Sequence, residues 1–516
     1  MSSIVVAGDT SGSVTLQAPA VSGATIVTLP ASSMNIGNGG GGVASNTAFG
    51  TSALAANTTG MQNTAIGYQA MLVNTVGEQS TAVGHLALTA QTGAGLYNTA
   101  VGASALATNT IGALNVAVGA GALRLNTTGT NNTSVGTNAL ASNTTGSFCT
   151  AVGFGAGNVN TTGEITAIGA YALSGNTTGN LNTAVGDLAL ISNTTGSSNT
   201  AFGRDALRLN ITANANTAVG YQSLYATTVS SCTAVGYQAG YTNSTGRGLV
   251  AIGAGAGNKS TGDANCFVGF NAGTSTTGTY NTFIGSGVAG VSYAAGESSS
   301  TGGYNTGVGS GALAQASTPS NNTAFGQNSG FSITTGGNNT TVGQNAGFTL
   351  ATGTGCTYLG YNVGASGAAV VNELAIATQS GTVGKGSNTG FINSGGGMYQ
   401  GSNGTLWSIT SDQRLKKNIV DNTTGLSAIN AIQVRNFEYR TAEEVTELEA
   451  NSAIDIKGIQ LGVIAQELQL ILPECVKTES TGVMSVDATN LTWYLINAVK
   501  ELSAELDALK LKVGAV

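Results

Sequence analysis

The feature that most limits how this chain can fold is a five-residue phrase, Asn-Thr-Ala-Val-Gly, that keeps returning along it. With small variations it begins at positions 46, 63, 98, 115, 132, 182, 199 and 216. When other residues are admitted in the first slot, further starts fall at 80, 149, 165, 232, 249, 265, 281, 305, 322, 339 and 356, which makes nineteen units. Their spacing is 16 to 18 residues, broken by a single 24-residue step after 281. A repeat of this length means one small structural unit used many times, and not a set of unrelated globular domains.

The fifth slot is Gly in every unit, from Gly50 to Gly360, and the fourth is apolar throughout, from Phe49 to Leu359. A second apolar mark follows four or five residues later, as in Ala53-Leu54, Ala105-Leu106 and Ala139-Leu140. Each unit then closes on Asn-Thr-Thr-Gly or a relative, such as Asn57 to Gly60 and Asn126 to Gly129. Thr-Ala-Val is a short strand with alternating faces, while Asn and Gly tolerate the positive-φ corners of tight turns. A helix is excluded because each Gly costs about 1 kcal/mol in a helix interior. Disorder would not keep one slot apolar nineteen times. The unit cannot bury its apolar residues alone, so neighbouring units must stack into a parallel β-roll or β-solenoid. At about 4.8 Å per layer nineteen coils make a rod of roughly 90 Å. The expectation is that the fourth-slot side chains line its core.

These NTAVGxxAL units resemble the head repeats of trimeric autotransporter adhesins over residues 46 to 365, with Thr where that family often carries an aliphatic residue. The resemblance implies a left-handed parallel β-roll in a threefold bundle, and hence a homotrimer.

Around the repeats the chain changes character. Residues 1–45 carry alternating apolar positions in Ser13 to Ala18 and Thr25 to Leu29 and a Gly-rich run from Gly37 to Gly42. They read as a small β cap or attachment module with a flexible joint. The repeats occupy 46–371, and 372–410 continues as a Gly-rich β region. Residues 1–410 hold 6 Lys/Arg and 8 Asp/Glu, whereas 411–516 hold 10 and 15, so a domain boundary falls at 411. In this last domain Val434 to Arg440 alternates like a strand. From Leu491 the pattern is helical, with Leu495, Val499, Leu502, Leu506, Leu509 and Val513 in heptad spacing. Such a seam associates, and with Val or Leu facing Leu it leans toward two strands in isolation, so a trimer has to be imposed by the rest of the chain.

On the boundary stands Ser411-Asp412-Gln413-Arg414-Leu415-Lys416-Lys417-Asn418-Ile419, followed in order by Gly462 to Glu467, Pro473-Glu474-Cys475-Val476 and Ala498 to Leu502. Taken by themselves these residues read as a helix or turn start, with Ser411 or Asp412 as N-cap. Together the blocks resemble the intramolecular chaperone domain of endosialidase-type phage tailspikes and fibres. The resemblance implies an α+β domain, ending in the long helix, that drives trimerisation and then cuts itself off before the Ser of an SDxRxK motif. Carried over, the cut lies between Thr410 and Ser411, with Ser411 as nucleophile and Lys416 as base. A hydroxyl needs a neighbouring base to attack, and a desolvated lysine supplies one.

Composition narrows the partners. A net charge of −7 and a pI near 4.8 leave no clustered cations for nucleic acid. His85 is the single histidine and none of the five cysteines forms a CxxC pair, so no metal or other cofactor is expected. Cys149, Cys232 and Cys356 stand in the repeat's Asn slot and read as small buried substitutes. No stretch is long and apolar enough for membrane insertion, and no secretion signal is read at Met1 to Asp9. The resemblance to phage tailspikes and fibres implies a virion tail fibre, made in the host cytoplasm. It would be attached to the baseplate or tail through its N-terminus and would bind a host-surface glycan or protein. The alternatives are a glycan depolymerase, for which Asp187 and Asp205 on consecutive units are the carboxylates to watch, and a bacterial trimeric surface adhesin.

Overall fold

The computed structural model describes residues 15–16, 27–28, 36–93, 96–288, 291–298, 301–393, 398–400, 412–441, 443–447, 457–478 and 483–514. The chain divides into two compact units, Met1–Thr410 and Ser411–Val516.

In the first unit, slots two to four of every repeat form a short strand, from Thr47–Phe49 to Thr357–Leu359. Each strand pairs with the next in parallel and in register, so that Thr47 faces Thr64, Ala48 faces Ala65 and Phe49 faces Ile66. The 24-residue step keeps that register, with Thr282 opposite Thr306. The ladder runs on through Leu374–Ala377 and Gly390–Asn393. This is a parallel β-solenoid. Its two ends are closed by antiparallel strands: Ile36–Gly37 lies on Thr47–Phe49, and Met398–Gln400 lies on Gly390–Asn393. A short antiparallel partner occupies the open edge that would otherwise template aggregation.

The fourth-slot expectation is overturned. The third slot points inward: Ala65, Ala100, Ala117 and Ala151 are fully buried, whereas Val118 and Val135 are each 37% exposed and Phe202 57%. Strand side chains alternate in direction, so with Ala inside, Thr and Val must both point out. The coil is too narrow for a branched side chain on its sheet wall, because the opposite wall already sends in a Leu. That Leu belongs to the second apolar mark, and Leu54, Leu106, Leu123 and Leu140 are fully buried as expected. They sit at φ near 50°, a left-handed backbone that costs a non-Gly residue about 1–2 kcal/mol. Burying a Leu contributes a similar 1.5–3 kcal/mol. Where Gly takes this position instead, a larger residue elsewhere fills the space. A Cβ on Gly257 would stand 2.8 Å from the ring of Phe267, and one on Gly157 would stand 2.8 Å from Ile165. Phe267 and Phe283, both in the normally Ala slot, stack 5.8 Å apart along the core.

Ladders of Asn satisfy most of the buried polar atoms, although Asn57 Oδ1 and Asn210 Oδ1 have no partner among the described residues. In the first slot, Asn46 accepts from the Asn63 amide at 2.9 Å and donates to Gly60 O at 2.8 Å. In the closing turn, Asn126 Nδ2 donates to Asn109 Oδ1 at 2.7 Å and to Gly129 O at 3.0 Å. Removing one member leaves a buried carbonyl unpaired, which costs about 1–3 kcal/mol. Cys149, Cys232 and Cys356 occupy the first-slot ladder and are buried, with Cys149 Sγ 3.1 Å from Gly163 O. Burial pushes the Cys149 thiol up to about 11. Iodoacetamide applied to the folded protein at about pH 8 is expected to leave Cys149, Cys232 and Cys356 unlabelled, because all three are wholly buried. Half-buried Cys266 should be labelled first, and peptide mass spectrometry before and after denaturation checks the order.

The Gly-rich run is no joint. Gly40–Gly42 form a 3-10 turn seated on the first coil, with the Gly40 amide donating to Leu54 O at 2.9 Å. A Cβ on Gly39 would lie 2.8 Å from the Leu54 side chain, so the glycines allow close approach. Upstream, Thr15–Leu16 pairs antiparallel with Val27–Thr28. The remainder of Ser13 to Ala18 and of Thr25 to Leu29 lies outside the described residues.

Candidate processing site in the C-terminal unit

The second unit is built on one long helix. We label its helices α1 (Leu426–Ala431), α2 (Ala465–Gln469) and α3 (Ala488–Lys512). Strand Arg435–Phe437, inside the stretch expected to alternate, pairs with Gln460–Gly462, and Val476–Thr478 pairs with Met484–Val486. The core is small: Leu468, Leu472, Cys475 and Tyr494 are buried together, with Ile429, Val463 and Leu491 packed against them. Asp487 caps α3 by accepting from the amides of Thr489 and Asn490. The heptad residues Leu495, Val499, Leu502, Leu506 and Leu509 lie in α3 and Val513 is its C-cap, and each is at least half exposed.

The boundary motif begins with a capped turn. Asp412 accepts from the Arg414 amide at 2.9 Å and holds the Arg414 guanidinium at 3.1 Å, closing the 3-10 turn Gln413–Leu415. The Arg414 side chain keeps the Asp412 carboxyl below the usual range and is itself pushed up. The N-cap is thus Asp412. Lys416 follows in extended conformation, its amide donating to Gln413 O, and its side chain is exposed. Thr410 and Ser411 lie outside the described residues, so the Ser411–Lys416 pair is placed only at its lysine end. Around Lys416 the chain presents apolar side chains to solvent: Leu415, Ile419 and Val420 are 75%, 62% and 85% exposed.

Downstream, the segment is tied to α3 by residues that spacing alone did not single out. Asn497 Nδ2 donates to Asn422 O at 2.8 Å and to Thr424 O at 3.2 Å. Glu501 accepts from the Leu426 amide at 2.6 Å and so caps α1. Asn422 reaches the Tyr494 hydroxyl at 3.5 Å, and that hydroxyl donates to Glu474, which holds the Glu474 carboxyl below its ordinary range and the tyrosine above its own. The signal available in the sequence was that Asn497 and Glu501 are polar, four residues apart on a helix, and off the heptad seam, hence on a second face. Asn497 and Glu501 therefore fix where the chain leaves the Ser411–Lys416 stretch.

Elsewhere, Asp187 and Asp205 do not form a free carboxylate pair. Both approach the same guanidinium, Arg204 Nε, at 3.5 and 3.6 Å, and Asp205 is also bonded to Arg208. Among the described residues no three His, Cys, Asp or Glu side chains group to hold a metal, and no helix is long and apolar enough to cross a membrane.

A family model described as the chaperone of endosialidase matches residues 411–477. The match begins at the first residue of the second compact unit and stops before α3. No curated protein and no solved structure matches the chain.

Proposed function

We propose that this chain is a trimeric tail fibre of a virion, built for attachment to a host surface, whose C-terminal unit assists trimerisation and is then cleaved off between Thr410 and Ser411. The observation that carries the reading is the chaperone-of-endosialidase match, which starts at the residue where the charge-poor solenoid gives way to the charge-rich unit.

The threefold count rests on the resemblance of the repeats and of the C-terminal unit to trimeric families, and two exposed apolar rows support association between copies. One is the outward fourth-slot row of the solenoid, from Phe49 and Ile66 to Leu359; the other is the α3 seam. Contiguous exposed apolar strips of this length mark association surfaces. Cleavage fits the same assembly. A lysine base must be desolvated to be neutral, and a single chain leaves Lys416 exposed beside Leu415 and Val420. A second and third copy covering that apolar surface would desolvate it, so that processing follows folding and the shed chaperone leaves the fibre kinetically trapped. The N-terminal segment would join the baseplate or tail and the fibre would contact a host-surface glycan or protein, with no nucleic acid and no cofactor involved. The Arg204 bridge between Asp187 and Asp205 gives no support to a depolymerase acting through them.

Native mass spectrometry of the purified protein at micromolar concentration is the test. Three copies are expected; a monomer or a dimer of the mature fibre overturns the reading.

A further inference from the structure

Three consecutive coils carry guanidinium or aromatic side chains in both outward columns of the solenoid at once. After the fifth-slot Gly the chain makes a turn whose first and fifth residues point outward; coils with small residues at both, such as Ala103 and Ala107 or Ala254 and Asn258, are interspersed with coils carrying larger ones, such as Tyr68, Phe154 and Phe270. Here the sequence reads Arg204-Asp205 with Arg208, then Tyr221-Gln222 with Tyr225, then Tyr237-Gln238 with Tyr241. The fold asks for none of these side chains. They stand in columns because the turns are hydrogen-bonded in register: the Gln222 amide donates to Arg204 O at 3.0 Å and the Gln238 amide to Tyr221 O at 2.9 Å.

The side chains continue that order. Tyr221 stacks on Tyr237 at 5.6 Å and Tyr225 on Tyr241 at 5.0 Å. Between these columns Gln238 Nε2 donates to Gln222 Oε1 at 2.9 Å. At the head of the array Asp205, almost wholly buried, holds Arg208, while Arg204 is shared between Asp205 and Asp187. The hydrogen bond that Arg208 donates to the Asp205 carboxylate pushes its guanidinium up. The next coil places Ala254 in the first column, so the ladder ends at Tyr237, which is 55% exposed.

We propose that this array is a saccharide-binding site, taking an uncharged glycan chain laid along the solenoid axis, with pyranose rings against the tyrosines and hydroxyls on Gln222, Gln238 and Arg204. Tyrosine offers an apolar body with a polar tip, the match for a ring carrying hydroxyls. Sugar hydroxyls donate and accept, and the array supplies both through Tyr, Gln, Arg and Asp. The two arginines and two carboxylates cancel in charge, so no ionic ligand is favoured. A protein partner is disfavoured by size: three coils at about 4.8 Å offer an area on the order of 200 Å², against the roughly 800 Å² per side of a stable protein interface. Side chains on a rigid ladder lose little freedom on binding.

The site deepens the host-attachment reading and rests on it. The test is retention of the full-length protein on an array of bacterial O-antigen and capsular polysaccharides. Wild type should bind a saccharide, and Tyr237→Ala and Tyr225→Ala should each weaken it about tenfold. Tyr237→Phe, which keeps the ring, should stay within about threefold of wild type. Tyr68→Ala, in the same column but stacked on His85 far along the chain, should change nothing and controls for folding. Array variants that bind like wild type, or a wild type that retains no saccharide, overturn the site. Adhesion of the same proteins to a panel of bacterial strains separates the two ideas: adhesion indifferent to the array removes the site and keeps attachment, whereas no adhesion to any strain removes attachment.

Discussion

Ser411→Ala is expected to leave the chain intact at 50.7 kDa, where the wild type yields a solenoid fibre and a separate 411–516 fragment. In the proposed reaction the Ser411 hydroxyl attacks the Thr410 carbonyl as Lys416 removes its proton. The Thr410 acyl group passes from the Ser411 nitrogen, which takes the proton, to the Ser411 oxygen, and water then hydrolyses that ester, freeing the Thr410 carboxylate and restoring the Ser411 hydroxyl. Lys416→Ala should match Ser411→Ala, because without a base the hydroxyl stays protonated. The expected effect is close to all-or-none, because the same hydroxyl both attacks and carries the acyl group. Denaturing electrophoresis and intact mass measure it directly. Both variants processed like wild type would exclude this pair, and a wild type never processed under any folding condition would make the C-terminal unit a permanent clamp. Asn497→Ala belongs beside them as a positioning variant, since its two hydrogen bonds hold the segment from Asn422 to Thr424.

A fifth-slot glycine gives the largest expected effect on stability. Gly119 has φ 137°, and a Cβ there would lie 2.5 Å from Gly136 O and 2.6 Å from Gly136 C, both backbone atoms of the next coil. Gly119→Ala therefore meets a strained backbone and a clash that no rotamer relieves. The strain costs about 1–3 kcal/mol and the clash about as much again. Because each coil touches only its neighbours, the damage should be local. The expected result is a new protease-sensitive site near residue 119 and a lowered unfolding midpoint. An unchanged midpoint would mean that the two coils separate freely, against the register seen throughout the ladder.

Much of this was legible in the residues. The period of about 17, the apolar marks and the turn glycines required stacked parallel coils, and the ladder from Thr47 to Leu359 has that form. The heptad spacing required one long helix, and α3 spans Ala488–Lys512. The N-cap could be narrowed to Ser411 or Asp412 because only a side-chain oxygen at a turn start satisfies the free amides.

What the sequence could not decide was direction. Alternation says that slots three and four face opposite ways, but Val looks more like core than Ala does. Only the closed coil shows that the interior, already holding Leu54 or Leu123 from the opposite wall, has room on the sheet side for Ala alone. The same closure turns the Gly37 to Gly42 run into a lid on the first coil. It also brings Tyr221 above Tyr237, and in the second unit tertiary packing sets Asn497 and Glu501 against Asn422 and Leu426, pairs separated by 16 to 75 residues. Local preference acts over a few residues, so it can specify the unit and its period. Which face is inside, and which distant side chains meet, depends on the volume left once the chain has closed around itself.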